Sequence, residues 1–197
     1  EGLANAWVEA LACGTPIVIT AAGGAGVVVL EEYEHAKARG ATLLGEIVGY
    51  GTNCDGTHVT QPQSATMAQA MRLALEDTGL PAGAIPYVNA HGTSTDQGDV
   101  AESQATQAVL GSRAAISSLK SYMGHTLGAC GALEAWMTLE MMKAGWFAPT
   151  LNLRQLDPRC GELDYLLGGG RKLDTEFAMS NNFAFGGINT SLIIRRL

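Results

Sequence analysis

Apolar positions along the chain change period repeatedly between that of a strand and that of a helix. Val27-Val28-Val29-Leu30 is a β-branched run that reads as a buried strand, and Glu31 to Arg39 follows as a short charged helix ended by Gly40. Leu43 to Tyr50 reads as a second strand, while the Gly-, Thr- and Asn-rich stretch from Gly51 to Gln63 has no period and reads as loop. Met67, Met71, Ala74 and Leu75 recur at helical spacing, and Gly79-Leu80-Pro81 stops that helix. Ile85 to Ala90 predicts a short strand that delivers His91 at its end. Ala101, Ala105 and Ala108 form the small-residue face of a helix stopped by Gly111, and Ala114 to Ser118 is a strand that delivers Lys120. Leu133, Met137 and Met141 stripe a helix from Ala129 to about Lys143, and Phe177 to Phe183 and Thr190 to Ile194 are two final strands. Alternation of this kind predicts an α/β sandwich, and the late strand pair across a Gly-rich turn predicts a mixed sheet.

Composition narrows the partners. Of 197 residues, 47% are hydrophobic and 16% charged, which favours a large buried core over disorder. A net charge of −7, with no offsetting Lys/Arg cluster, would repel a phosphate backbone, so nucleic acid is not an expected partner. The longest apolar stretch, Ile17 to Leu30, is broken by Gly23-Gly24 and falls short of the roughly 20 residues a spanning helix needs, so no membrane association is expected. Cys13, Cys54, Cys130 and Cys160 stand far apart with no C-x-x-C pair, a pattern that fits reduced thiols and a cytoplasmic location better than a disulfide framework. A metal site is not expected either, because no short His/Cys/Asp spacing supports one.

Three segments concentrate the chemistry. Asn89-Ala90-His91-Gly92-Thr93-Ser94-Thr95 and Lys120-Ser121-Tyr122-Met123-Gly124-His125 place two histidines and a lysine in small-residue loops, and Asn181-Asn182-Phe183-Ala184-Phe185-Gly186-Gly187-Ile188-Asn189 forms an aromatic, Gly-rich turn. In order and spacing, residues 25–197 resemble the C-terminal half of a β-ketoacyl-acyl-carrier-protein synthase, an acyltransferase of the thiolase fold. The resemblance implies half of a thiolase-like α/β fold, with a mixed sheet of about five strands and flanking helices. It also implies a decarboxylative Claisen condensation of malonyl-carrier protein with an acyl thioester, in fatty acid or polyketide/polyene biosynthesis.

The same resemblance suggests roles. His91 and His125 would donate hydrogen bonds to the malonyl thioester carbonyl, with Lys120 and Glu134 orienting them. An acid on an apolar helix also fits a purely structural buried ion pair with Lys120. Phe185 would be the gating phenylalanine whose backbone N–H forms half of an oxyanion hole, with Gly186 and Gly187 letting backbone approach the ligand. Ala184 stands where the family commonly has Gly. Thr93 and Thr95 would bind the phosphopantetheine arm of the acyl-carrier protein, which serves as substrate carrier with no cofactor bound permanently, or they are ordinary strand-end threonines. Phe183 reads as core, His35 as solvated, His58 as a loop residue outside the site, and Cys130 as a small packing residue. The expected partners are acyl-carrier protein and a homodimeric or synthase-like heterodimeric subunit; a non-catalytic chain-length-factor-like role is the alternative.

The nucleophilic cysteine of such synthases belongs to the N-terminal half of the fold, and none of the four cysteines has its motif, so this chain alone is expected to be inactive in condensation. Residues 1–22, with Glu1 and Glu9 spaced as E-x7-E and the run Leu11-Ala12-Cys13-Gly14-Thr15-Pro16, instead resemble a segment of GT-B glycosyltransferases. The chain then reads as a fragment and a chimera, a foreign segment over 1–22 joined to a synthase domain over 23–197. A plain helix and strand packed on the sheet is the competing reading of the same residues.

Overall fold

The computed structural model describes residues 28–58 and 60–197. Its main sheet has six strands: β1 (Glu46–Cys54), β2 (Tyr87–Asn89), β3 (Ala115–Ser117), β5 (Asp164–Tyr165), β7 (Phe177–Ala184) and β8 (Ile188–Arg195). They lie in the order β1-β8-β7-β2-β3-β5, and β4 (Trp146–Phe147) pairs with β6 (Arg171–Lys172) in a separate two-stranded ribbon. β7, β2, β3 and β5 run parallel, whereas β8 is antiparallel to both β7 and β1, so the sheet is mixed. The parallel strands β2, β3 and β7 therefore end at one edge, and the loops carrying His91, Lys120 with His125, and Phe185 all leave from that edge.

Helices cover both faces. α2 (Ser64–Thr78) and α3 (Asp96–Leu110) share a core with Val88, Ile116, Met179 and Ile193. α5 (Cys130–Ala144) places Met141 and Met142 on the opposite face against Tyr87, Leu119, Phe147 and Leu166. Adjacent strand residues such as Tyr87 and Val88 point to opposite faces, which is why β2 is buried throughout and reads as an apolar run. Short helices α1 (Tyr33–Ala38) and α4 (Lys120–Met123) complete the α-helices among the described residues. Among these residues no helix is long and apolar enough to cross a membrane.

Two expectations are corrected. The described part of the Val27–Leu30 run is not a strand: Val28 and Val29 are 41% and 57% exposed and pair with nothing in the sheet. A β-branched run favours a strand only where a half-buried pleated surface receives it, and none does here. Conversely, β1 continues through Gly51 to Cys54, where loop was expected. The glycines there are contact devices. A Cβ at Gly51 would sit 2.0 Å from the Ala70 carbonyl oxygen of α2, and one at Gly49 would sit 2.5 Å from the Ala74 oxygen, so helix and strand backbones approach only because both positions are bare. The proposed foreign segment at 1–22 and its junction lie outside the described residues.

Candidate active site

His91 leaves the C-terminal end of β2 and is held from behind. Its backbone N–H and that of Gly92 donate to the two oxygens of Glu102 on α3, both at 2.8 Å. Gly92 has φ +38°, a conformation disfavoured for side-chain-bearing residues, and its carbonyl accepts from Ser118 Oγ at 2.8 Å. That bond stitches the loop after β2 to the loop after β3. Burial raises the Glu102 carboxyl to about 7, against the opposing effect of its two backbone donors and of the Lys120 charge.

Lys120 starts the single turn α4 directly after β3 and its side chain is buried. Its Nζ donates to Glu134 Oε1 of α5 at 2.5 Å. Glu134 is 0% exposed, and its second oxygen accepts from Asn89 Nδ2 at 3.4 Å and Asn182 Nδ2 at 3.3 Å. Burial raises its carboxyl, while Lys120 and the two amides oppose the rise. Asn89 Nδ2 also donates to Ser180 Oγ of β7 at 3.1 Å.

His125 follows the turn, and its ring meets that of His91 edge-on, with centroids 5.4 Å apart and planes at 90°. His91 also packs edge-on against Phe183, 6.3 Å between centroids. The His91 imidazole is pushed down to about 3, chiefly by burial and then by the Lys120 charge and His125, with an Asn182 hydrogen bond opposing. It is therefore neutral across the physiological range, and a neutral imidazole keeps one N–H to donate. Beside His125 lies a cavity of about 560 Å³, lined by His125, Lys120, Thr93, Thr95, Thr150 and Tyr165 among others, though not by His91. Thr93 and Thr95 share a hydroxyl hydrogen bond at 3.1 Å just before α3.

The Phe185–Gly187 turn joins β7 to β8 at the same edge, although its residues do not line that cavity. Phe185 is 54% exposed. Ala184 has extended backbone, φ −85° and ψ 166°, which any residue adopts. Gly187 has φ +77°, and a Cβ there would meet Asp55 Oδ1 at 2.0 Å, so the turn requires glycine at that position. Phe183 is core, as expected. His35 is 70% exposed in its side chain and pairs with Glu31, and His58 caps the Thr60 N–H in an exposed loop.

Sequence reasoning missed Glu102 and the amides of Asn89 and Asn182. The available signal was a carboxylate beside Ala101 on a helix face of small buried residues, a position that requires strong partners. Sequence reasoning also gave Cys130 no role beyond packing, whereas its Sγ lies 3.1 Å from His125 Nδ1.

Comparison with known proteins agrees with this architecture. The chain is 43% identical over 178 residues to 3-oxoacyl-[acyl-carrier-protein] synthase 2 of Synechocystis sp., a match covering 88% of this chain and 42% of that protein. A crystal structure of a β-ketoacyl synthase from Burkholderia phymatum superposes with a TM-score of 0.84 at 71% identity, covering 86% of this chain and 41% of the other. The ishigamide ketosynthase/chain length factor superposes with a TM-score of 0.82 at 32% identity, covering 98% of this chain and 51% of the other. The chain thus spans about two fifths of the length of the curated relative, and its fold is the corresponding part of the thiolase-like ketosynthase fold. Residues 44–154 match the Beta-ketoacyl synthase, C-terminal domain, and the chain belongs to the β-ketoacyl synthase family.

Proposed function

We propose that this chain carries the enolate-stabilising part of a β-ketoacyl-acyl-carrier-protein synthase site, for decarboxylative condensation in fatty acid or polyketide biosynthesis. The observation that supports it best is the perpendicular His91–His125 pair, with His91 kept neutral by burial beside Lys120. In the proposed reaction the malonyl C–C bond to the carboxylate breaks, CO₂ leaves, and the electron pair passes into an enolate. The enolate oxygen accepts N–H donors from His91 and His125. Its carbon then attacks an acyl thioester on a cysteine supplied by the N-terminal half of the fold, the thiolate departs, and the ketoacyl chain remains on the carrier.

Lys120 and Glu134 position the two loops, and the Lys120 charge adds to burial in keeping His91 unprotonated. The Phe185 N–H serves the second oxyanion, with Gly186 and Gly187 giving backbone access. Thr93 and Thr95 receive the phosphopantetheine arm of an acyl-carrier protein, and a synthase-like subunit is the expected dimer partner. The relative named for acyl-carrier protein, and the solved ketosynthase paired with a chain length factor, support these partners. A non-catalytic partner role is disfavoured because the histidine pair and its buried lysine are all in place.

Condensation by this chain alone is not expected. The test joins residues 23–197 to the N-terminal half of the Burkholderia synthase and follows ketoacyl product from malonyl- and acyl-carrier protein. Product is expected from the fusion and not from the chain alone, and His91→Ala or His125→Ala should each cost on the order of 100-fold or more. Undiminished product from both variants would reject the assignment. Product from the chain alone would place a working nucleophile among its own cysteines.

A further inference from the structure

Cys130 opens α5 and is 1% exposed, yet its sulfur is not packed solely against carbon. Its Sγ lies 3.1 Å from His125 Nδ1 and 3.4 Å from Thr126 Oγ1, whose hydroxyl donates to it. The same Nδ1 accepts the Leu127 backbone N–H at 3.0 Å. Leu127 reaches that position with φ +54°, a left-handed conformation uncommon for a non-glycine residue, and its side chain is 62% exposed. Side-chain burial therefore does not account for that backbone. What it provides is an N–H aimed at the imidazole.

These contacts determine which way each hydrogen bond runs. A neutral imidazole has one N–H and one bare nitrogen. With the Leu127 N–H pointing at Nδ1, that nitrogen is the acceptor and the ring proton sits on Nε2. The thiol then has no ring proton to accept. It already accepts from the Thr126 hydroxyl, and its own S–H is left to donate to Nδ1. We propose that Cys130 is a positioning residue that, through a Thr126–Cys130–His125 hydrogen-bond chain, reinforces the Leu127 N–H in holding the His125 imidazole in its Nε2–H tautomer. This rests on the reading above, in which His125 must present an N–H donor to a thioester oxygen, and it assigns a side chain that adds to the hold on that donor. A proton on Nδ1 would turn the other ring nitrogen into an acceptor, which repels a developing enolate oxygen.

The test reads the tautomer directly and needs no turnover. In the 197-residue chain labelled with ¹⁵N-histidine, ring nitrogen shifts of His125 should show Nδ1 unprotonated and Nε2 protonated in the neutral form. Cys130→Ala and Cys130→Val, which remove the donor with smaller and larger side chains, should shift the tautomer ratio toward Nδ1–H by roughly twofold to fivefold, as expected for one weak net hydrogen bond. Cys130→Ser, which keeps a donor, should stay near the wild-type ratio. Three results would each overturn the proposal: a wild-type ring carrying its proton on Nδ1, an unchanged ratio in the donor-free variants, or a Ser variant displaced as far as Ala. The wild-type measurement stands even where a variant does not fold. A failed condensation assay with intact tautomer behaviour would reject the synthase reading alone and leave the hydrogen-bond chain standing.

Discussion

Replacing Glu102 by Gln should change how stability depends on pH, and the size of the change follows from the structure. Glu102 is 4% exposed and its carboxyl rises from an ordinary value of 4.5 to about 7, mainly because burial disfavours the charge. An acid that is weaker in the folded state than in the unfolded one favours folding while protonated. Its contribution is complete below pH 4.5 and is lost as pH climbs through 7. The difference corresponds to about 3 kcal/mol, at 1.36 kcal/mol per pH unit. His91 runs the other way. It falls from 6.5 to about 3, so the unfolded chain binds its proton first, and stability from the neutral ring is present above 6.5 and lost as pH falls through 3. Between pH 4.5 and 6.5 the two slopes oppose and nearly cancel. In Glu102→Gln only the His91 slope of this pair remains. Urea unfolding of both proteins at half-unit steps from pH 4.5 to 8 isolates the Glu102 part, because every other titrating group cancels in the difference. Stability of the variant minus that of the wild type should rise by about 3 kcal/mol from pH 4.5 to 7 and then level off. A flat difference would show that Glu102 titrates near its ordinary value, and the account of its clamp as a costly buried carboxylate would be refuted.

Lys120→Met should lower unfolding free energy by about 3–5 kcal/mol near neutral pH, since it leaves Glu134 fully buried without its cation, and adding Glu134→Gln should recover most of the loss in the same urea measurement. Gly51→Ala should destabilise by about 1–3 kcal/mol or more, because its methyl would lie 2.0 Å from the Ala70 carbonyl oxygen. Gly79→Ala, which meets nothing within 4 Å and suffers only from its left-handed backbone at φ +69° and ψ 10°, should cost about 1–2 kcal/mol. A thermal-shift series that ranks Gly79→Ala as the costlier of the two would contradict the close helix–strand approach.

Much of the fold was legible because its signals are local. The helical recurrence of Met67, Met71 and Ala74 became Ser64–Thr78, and the Leu133, Met137 and Met141 stripe became Cys130–Ala144. The short strands before His91 and Lys120 were readable from apolar runs that end in polar loops, and these placed both motifs on one edge. What failed depended on tertiary context. Gly49 and Gly51 look like breakers until a helix backbone is known to lie against them, and Val28 and Val29 look like a strand although no strand pairs with them. The same limit applies in the site. His91, His125 and Lys120 stood out in their loops, but Glu102 and Asn182 lie 11 and 91 residues from His91, and only the fold brings them to it.

That long-range assembly has a consequence for how the site is kept. Glu102 arrives on α3 and Glu134 on α5, helices that pack on opposite faces of the sheet. One carboxylate holds the backbone of His91 and Gly92, and the other collects Lys120, Asn89 and Asn182 from the loops and strands around the ring. Each carboxyl is raised by burial, so each needs its donors in place to remain tolerable without water. Loosening either helix would thus expose a carboxylate to water and at the same time release one side of His91. The neutral state of that imidazole depends on burial first and on the nearby Lys120 charge second. Lys120 is itself held by the α5 carboxylate and the His91 backbone by the α3 carboxylate, so the packing of each helix is coupled to the protonation of the candidate donor.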